Sequence, residues 1–600
     1  MTTDVIDKEA IKQKYAEERA KRMRPEGNAQ YQLLEDKFEE LAADPYTPKT
    51  ERAPVKDHVT FAFIGGGLSG LVSGARLKEA GVESVRIIEK AGGFGGTWYW
   101  NRYPGVQCDT VSMIYLPLLE ETGYVPTEKY VRGPEILEHC ERIATQFGLH
   151  DNALFHTEVK SLEWQEDTRR WRIQTNRGDD FTAKYIGMGT GPLHVAKLPG
   201  IPGIDRFRGK AFHTSRWDYA YTGGDNKGAP LDKLADKRVA IIGTGATGIQ
   251  CIPYVSRTAK ELFVFQRTPS SVDERGNNPI DPDWFAGQAE PGWQQRWYDN
   301  FVDNQSRGVI PTEDLVNDGW TAIARRVREK VMSLPPEKMT PENMLAAVED
   351  SDIEKMSEIR ARVDKLIDDK DTAEKLKAWY SQLCKRPCFN DDYLPSFNRP
   401  NTTLVDTDGR GVEEITETGL IANGQHYEVD CIIYASGFEF GASFQLKSGF
   451  DLKGAGGQML SEHWADGLRT LHGQQMHGFP NAFMVQMNQG ANFASNIPQN
   501  IVDHALTIAQ VVSHAEANGY SEVQPTAEAE QAWVDLILKA QGNAMMAGPD
   551  CTPGFWNNEG QGWDRKFRQA QGHPGGPRAF FEHMKDWREA GELKGLEFSK

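Results

Sequence analysis

The chain has 600 residues, too many for one hydrophobic core, and predicts roughly three to four domains. Its formal net charge of −18 speaks against nucleic acid or an anionic membrane surface as a partner, because phosphates would be repelled. No apolar run reaches the roughly 18 residues of a membrane span, and the first residues (MTTDVIDKEA) lack an apolar signal core, so a cytoplasmic location is expected.

Residues 1–55 are charged and rich in helix formers. Tyr31, Leu34, Phe38 and Leu41 recur at helical spacing, which predicts an extension of one or two surface helices wrapping the body. Next comes HVTFAFIGGGLSGLVSGARLKEAGVESVRIIEK, at 58–90: a buried strand, a glycine turn, a helix with small residues and a second strand. The same unit returns about 180 residues later as KRVAIIGTGATGIQCIPYVSRTAKELFVFQRT, at 237–268. In each, the first glycine (Gly65, Gly243) permits the turn. The second (Gly67, Gly245) admits a pyrophosphate, and the third (Gly70, Gly248) lets helix and strand pack closely. Thr247 lies within the second turn.

The second strands of the two units end on opposite charges in one register. Glu89 lies 24 residues after Gly65, and Arg267 lies 24 after Gly243. A carboxylate there accepts from a ribose 2′-hydroxyl and repels a 2′-phosphate, whereas an arginine attracts that phosphate, with Thr268 as a further donor. The first site is therefore expected to hold FAD and the second NADPH, so that a nicotinamide reduces a flavin. A second glycine cluster, GGFGGTWYW, supports this: Gly96, Thr97 and Trp98 are expected beside the flavin.

Residues 206–236 read as a linker containing FRGKAFHTSRWD. Its His213 admits three readings: a structural hinge residue, a cofactor contact or a proton-transfer group. From 285 to 380 the chain is helical and charged, an insertion in the second nucleotide domain. Residues 427–440 (YEVDCIIYASGFEF) read as a buried strand and glycine turn that return the chain to the first domain, with Asp430 near the flavin or capping a turn. The seven cysteines, 108, 140, 251, 384, 388, 431 and 551, are odd in number and dispersed, and read as free thiols. No second pair stands near Cys384 and Cys388 to complete a zinc site, so no metal is expected.

These motifs together resemble the type I Baeyer–Villiger monooxygenases. Phe207, Gly209, His213, Trp217 and Asp218 match that family's fingerprint, and Gly95 to Asp109 (GGTWYWNRYPGVQCD) matches its second long motif. The resemblance covers roughly residues 50–570, and the long N-terminus and CTPGFWNNEG, at 551–560, resemble a subgroup that includes cyclopentadecanone monooxygenase. It implies insertion of one atom of O2 beside the carbonyl of a bulky or large-ring ketone, giving an ester or lactone through a C4a-peroxyflavin. A flavin N- or S-oxygenase and an NADPH oxidase are the rival readings. By the same resemblance Arg386 is the catalytic cation, Asp109 its acidic partner and Lys385 a ligand of the NADP phosphate. Trp556 lies in a loop that folds over NADP. Gln107 departs from the pattern, since many relatives have arginine there.

The implied fold is α/β: two Rossmann-like dinucleotide-binding domains with a helical insertion in the NADP domain and an N-terminal helical extension. The expected boundaries are 1–55 for the extension, 56–205 for the first part of the FAD domain, 206–236 for the linker, 237–385 for the NADP domain and 386–600 for the rest of the FAD domain and the C-terminal loops.

Overall fold

A computed structural model describes residues 7–33, 43–306, 309–439, 443–491, 495–539, 550–561 and 564–600. The N-terminal arm holds helix α1 (Lys8–Arg22), capped by Asp7, and a short strand β1 (Tyr31–Leu33). The first nucleotide unit is β2 (His58–Ile64), α2 (Leu68–Glu79) and β3 (Val85–Ile88). Strands β4 (Val159–Gln165), β5 (Arg170–Thr175) and β6 (Asp180–Met188) form a hairpin meander beside it. Then follow β7 (Lys197–Pro199), β8 (Lys210–His213) and the second unit, β9 (Arg238–Ile242), α3 (Ala246–Ser256) and β10 (Glu261–Gln266).

β11 (Val272–Asp273) leads into a helical stretch containing α4 (Trp293–Gln305), α5 (Gly319–Met332) and α6 (Pro341–Leu366). β12 (Cys388–Phe389) pairs in parallel with β11. The chain then forms β13 (Thr402–Asp406), β14 (Cys431–Tyr434), β15 (Leu452–Lys453) and β16 (Ala482–Met484), and ends in α7 (Ile497–Asn518) and α8 (Gly576–Ala590).

Two sheets organise these elements. One has the order β15-β4-β5-β6-β2-β3, with β16 beside β6; the other runs β13-β10-β9-β14-β8. β2 and β9 are covered on both faces, which is why each reads as a continuous apolar run rather than an alternating one. Helix α2 carries small residues on the sheet side, and a side chain at Gly74 would stand 3.0 Å from Leu149.

Three expectations are corrected. First, Cys431–Tyr434 does not return the chain to the first domain: it pairs with β9 and β8 in the second sheet, and the chain rejoins the first sheet only at Leu452–Lys453, beside β4. A buried apolar strand suits either sheet, so its composition carries no address. The second sheet therefore also takes Thr402–Asp406 from beyond residue 385 and Lys210–His213 from the linker. Second, Tyr31 lies in a strand paired antiparallel with β7, not in a helix; Leu34, Phe38 and Leu41 fall outside the described residues. Third, not all the cysteines are free. Cys384 and Cys551, 167 residues apart, form a disulfide. Pairing depends on where the fold brings two thiols, which spacing along the chain cannot reveal. Cys108, Cys140, Cys251, Cys388 and Cys431 are free and buried.

Candidate active site

The two glycine turns are built alike. Gly65 and Gly243 have φ of +110° and +112°, and a Cβ on either would stand 2.5 Å from a carbonyl oxygen, that of Gly189 or Ala435. A Cβ on Gly70 or Gly248 would meet the oxygen of its own first glycine, at 2.1 Å and 2.3 Å. Around the middle glycine of the second turn, Gly245, no atom lies within 4 Å of that Cβ position. A Cβ on Gly67 would stand 3.4 Å from Gly96 Cα, so the second glycine cluster lies against the first turn. Gly67 and Gly245 begin α2 and α3 without any side-chain cap, which leaves helix N–H groups for phosphate oxygens. Both turns thus fit a dinucleotide.

Glu89 is buried at the end of β3. Its two carboxylate oxygens accept from the N–H groups of Gly66 (2.6 Å) and Ala91 (2.8 Å), so it braces the turn as well as standing at the ribose register. Burial raises its pKa, opposed by those same hydrogen bonds. Arg267, at the end of β10, donates to the Gln30 side chain and to the Tyr31 hydroxyl (3.2 Å), and Glu559 lies 3.8 Å away.

A chamber of about 1220 Å³ opens between the two sheets. Among the predicted residues, Thr97, Trp98, Asp109 and Arg386 line one part of it. Gly243, Gly245, Thr247, Arg267, Thr268, Lys385 and Trp556 line the other. Gly65, Gly67, Gly70, Glu89, Gly96 and Gly248 lie outside its walls and shape the turns instead.

At the centre, Arg386 Nη2 donates to Asp109 Oδ1 at 2.6 Å. The side chain of Arg386 is 42% exposed, but it faces the chamber rather than bulk solvent. Burial opposes its charge; the Asp109 carboxylate outweighs that and raises its pKa. Trp320, from α5, joins the pair: its indole N–H donates to the Asp109 carbonyl (3.0 Å), and its ring lies 5.5 Å from the Arg386 guanidinium carbon. Buried Arg275 clamps the two loops together by donating to the carbonyls of Cys108 (2.5 Å) and Phe389 (2.7 Å). Gln107 donates to the Tyr130 carbonyl at 2.5 Å. Neighbouring Lys385 has its pKa pushed down to about 8 by burial, with Arg267 adding to the effect.

The fingerprint residues do not line the chamber. They lay β8 along β14. A Cβ on Gly209 would strike the Phe207 ring (2.5 Å) and the Asp430 carbonyl (2.7 Å). His213 is fully buried. Its Nδ1 accepts from Ser215 N–H (3.2 Å), so the proton sits on Nε2, which donates to the Gly437 carbonyl (3.1 Å). Burial, with Arg216 nearby, pushes its pKa down to about 3. Trp217 is buried and donates to Thr222 Oγ1 (3.1 Å), while Asp218 caps a short helix and pairs with Lys210 (2.5 Å). Of the readings open for His213, this environment fits the structural one. Asp430 accepts from Arg238 N–H (2.8 Å), away from the glycine turns.

Sequence reasoning missed Trp320, Arg275, Arg24 and Tyr31. Nothing in the neighbouring sequence marks any of them, and only folding brings each to the chamber or its walls. Two dinucleotide turns in one chain, the second of them lining a chamber that also holds the Arg386 guanidinium, define a flavoprotein oxidoreductase in which a nicotinamide reduces the flavin.

The flavin-binding monooxygenase-like family matches residues 58–281. The chain is 47% identical over 596 residues to neopentalenolactone D synthase of Streptomyces avermitilis, with 99% of each chain covered. It is 45% identical over 593 residues to a Baeyer–Villiger monooxygenase of Stachybotrys chlorohalonatus, covering 98% of this chain and 94% of the other. The solved polycyclic ketone monooxygenase of Thermothelomyces thermophila superposes with a TM-score of 0.91 at 38% identity, covering 99% of each chain. The chain belongs to the Baeyer–Villiger monooxygenases. It is an FAD-containing enzyme that uses NADPH and O2 to convert ketones to esters or lactones. Among the described residues no helix is long and apolar enough to cross a membrane.

Proposed function

We propose that the substrate is a bulky ketone, polycyclic or large-ring, as in the subgroup that resembles cyclopentadecanone monooxygenase, and that Arg386 and Asp109 carry the protein's part of the chemistry. FAD, when bound, supplies the oxygen-activating chemistry, with electrons from NADPH. The first glycine turn, with Glu89, holds the flavin nucleotide; the second, with Thr247, holds NADP. Arg267, Thr268 and Lys385 receive its 2′-phosphate, and Trp556 folds over it.

Arg386 keeps its proton at every working pH, so it meets the negative charge that develops on the ketone oxygen with fixed N–H donors. Asp109 sets the orientation of that fork and Trp320 backs it. What carries this reading is the 2.6 Å Arg386–Asp109 pair in the wall of the chamber. The apolar residues in the chamber wall, Phe301, Ile323, Val327, Ile497 and Pro574, support a bulky substrate.

The test is NADPH consumption under air with ketones from cyclohexanone through cyclopentadecanone to a 20-keto steroid, with products weighed by mass spectrometry. Large ketones should gain one oxygen per NADPH consumed. Conversion of cyclohexanone alone would overturn the bulky-substrate reading.

A further inference from the structure

The N-terminal arm is stitched to the far side of the NADP turn rather than lying loosely on the surface. β1 adds antiparallel to β7, with Tyr31 opposite Pro199 and Leu33 opposite Lys197. Gly200 N–H donates to the Gln30 carbonyl at 2.8 Å. The arm also grips the loop carrying Trp556 and Glu559: Arg19 donates to the Cys551 carbonyl (3.2 Å), and Asn28 donates to Asn558 (2.8 Å). Arg24 donates to the Arg410 carbonyl. Arg24, Gln30 and Tyr31 all line the chamber at this end.

Among the described residues the charges here do not balance. Arg24, Lys197, Arg267 and Lys385 share one buried carboxylate, Glu559. Beyond it, Glu26 acts on Arg24 and Glu439 on Lys197. Glu559 is 3% exposed, and its Oε2 accepts no hydrogen bond. Arg24 and Lys385 are each depressed in pKa, by burial first and then by Arg267. Mutually repelling cations gathered around a carboxylate that cannot neutralise them form a site for a multiply charged anion. The site lies at the end of β10, where the register of the second turn puts the adenosine ribose of the nicotinamide cofactor.

We propose that the N-terminal arm is a working wall of the 2′-phosphate site: Arg24 contacts that phosphate directly, Gln30 and Tyr31 hold the Arg267 fork towards it, and the arm thereby sets the preference for NADPH over NADH. This rests on the reading that Arg267 and Lys385 receive the 2′-phosphate.

The experiment is calorimetric titration of the FAD-loaded enzyme with 2′,5′-ADP, 5′-AMP, NADP+ and NAD+, for the wild type, Arg24→Gln, Arg24→Lys and Arg267→Gln. Arg24→Gln should weaken 2′,5′-ADP and NADP+ about 10-fold, the usual worth of one charge-assisted hydrogen bond, with Arg24→Lys in between. Its 5′-AMP and NAD+ binding should stay as in the wild type, which also shows that the fold is intact. Equal weakening of all four ligands would make Arg24 merely structural and overturn the proposal. Wild-type binding of 2′,5′-ADP by Arg24→Gln, with loss in Arg267→Gln, would overturn it while leaving the phosphate placement standing. Unchanged binding in Arg267→Gln would overturn both.

Discussion

Asp109 and Arg386 stand 277 residues apart in the chain, yet their side chains meet at 2.6 Å in the wall of the chamber. Neither is held by that contact alone. Arg275 bridges the carbonyls on either side, and Trp320 touches both partners, so the pair is set in a rigid frame on which a guanidinium fork can be aimed.

Arg386→Ala should leave reduction of the flavin by NADPH nearly unchanged while ester formation falls by about 10²–10³-fold, the usual loss when a preorganised oxyanion donor is removed. Stopped-flow flavin absorbance and product mass measure the two halves separately. Arg386→Lys should rescue poorly, since an ammonium lacks the planar fork. Ester yield surviving Arg386→Ala would refute the assignment.

Asp109 acts on Arg386, so the two should not be additive. A double-mutant cycle of Asp109→Asn and Arg386→Ala on kcat for ketone oxidation should give a coupling of about 1–3 kcal/mol. A coupling near zero would separate the two roles.

Lys385 titrates near the working range, at about 8. Phosphate favours its cationic form. NADP+ affinity should therefore be complete below that pH and fall as pH rises through it, because the free enzyme then loses the charge. Lys385→Met should bind more weakly and without that slope. The same slope in Lys385→Met would assign the titration to another group.

The two glycines of the second turn should fail differently. Gly243→Ala puts a side chain at φ +112° and 2.5 Å from the Ala435 carbonyl, so it should lower the melting temperature. Gly245 has φ −78° and open space around its Cβ position, so Gly245→Ala should melt as the wild type does but lose NADP+ affinity more than about 10-fold. Calorimetry and thermal melting read both.

The Cys384–Cys551 bond closes a span of 167 residues, for which chain entropy alone allows about 5 kcal/mol of stabilisation. Dithiothreitol should lower the melting temperature of the wild type and leave that of a Cys384→Ser, Cys551→Ser double variant unmoved. An equal shift in both would assign the effect elsewhere.

Much of the site was legible because it is local. Gly65 and Gly70, like Gly243 and Gly248, stand where the turn leaves no room for a side chain, and Glu89 and Arg267 follow at a fixed register. What stayed hidden is tertiary. The address of Cys431–Tyr434 is set by which sheet has a vacancy beside β9. Trp320 lies on a helix of the insertion, with nothing in its neighbours to mark it as an active-site residue. The disulfide and the contact of Arg24 with the Arg410 carbonyl depend on segments more than a hundred residues apart meeting in space. Tyr31 misled for another reason: helical spacing over a short charged stretch competes poorly with an open strand edge at β7.

The path between the two sheets has a mechanical meaning. The segment leaving the first sheet and the segment coming back run antiparallel and are bonded to each other: Ala196 bridges Phe438, Lys197 N–H donates to the Gly437 carbonyl (3.1 Å), and Glu439 N–H donates to the Val195 carbonyl (2.8 Å). The second nucleotide unit therefore hangs from the first on a two-ply ribbon, with His213 riveting its base at Gly437. A paired ribbon of that kind resists stretching and shear better than a single strand would, and together with Arg275 and the Asp109–Arg386 pair it ties the two halves on either side of the chamber.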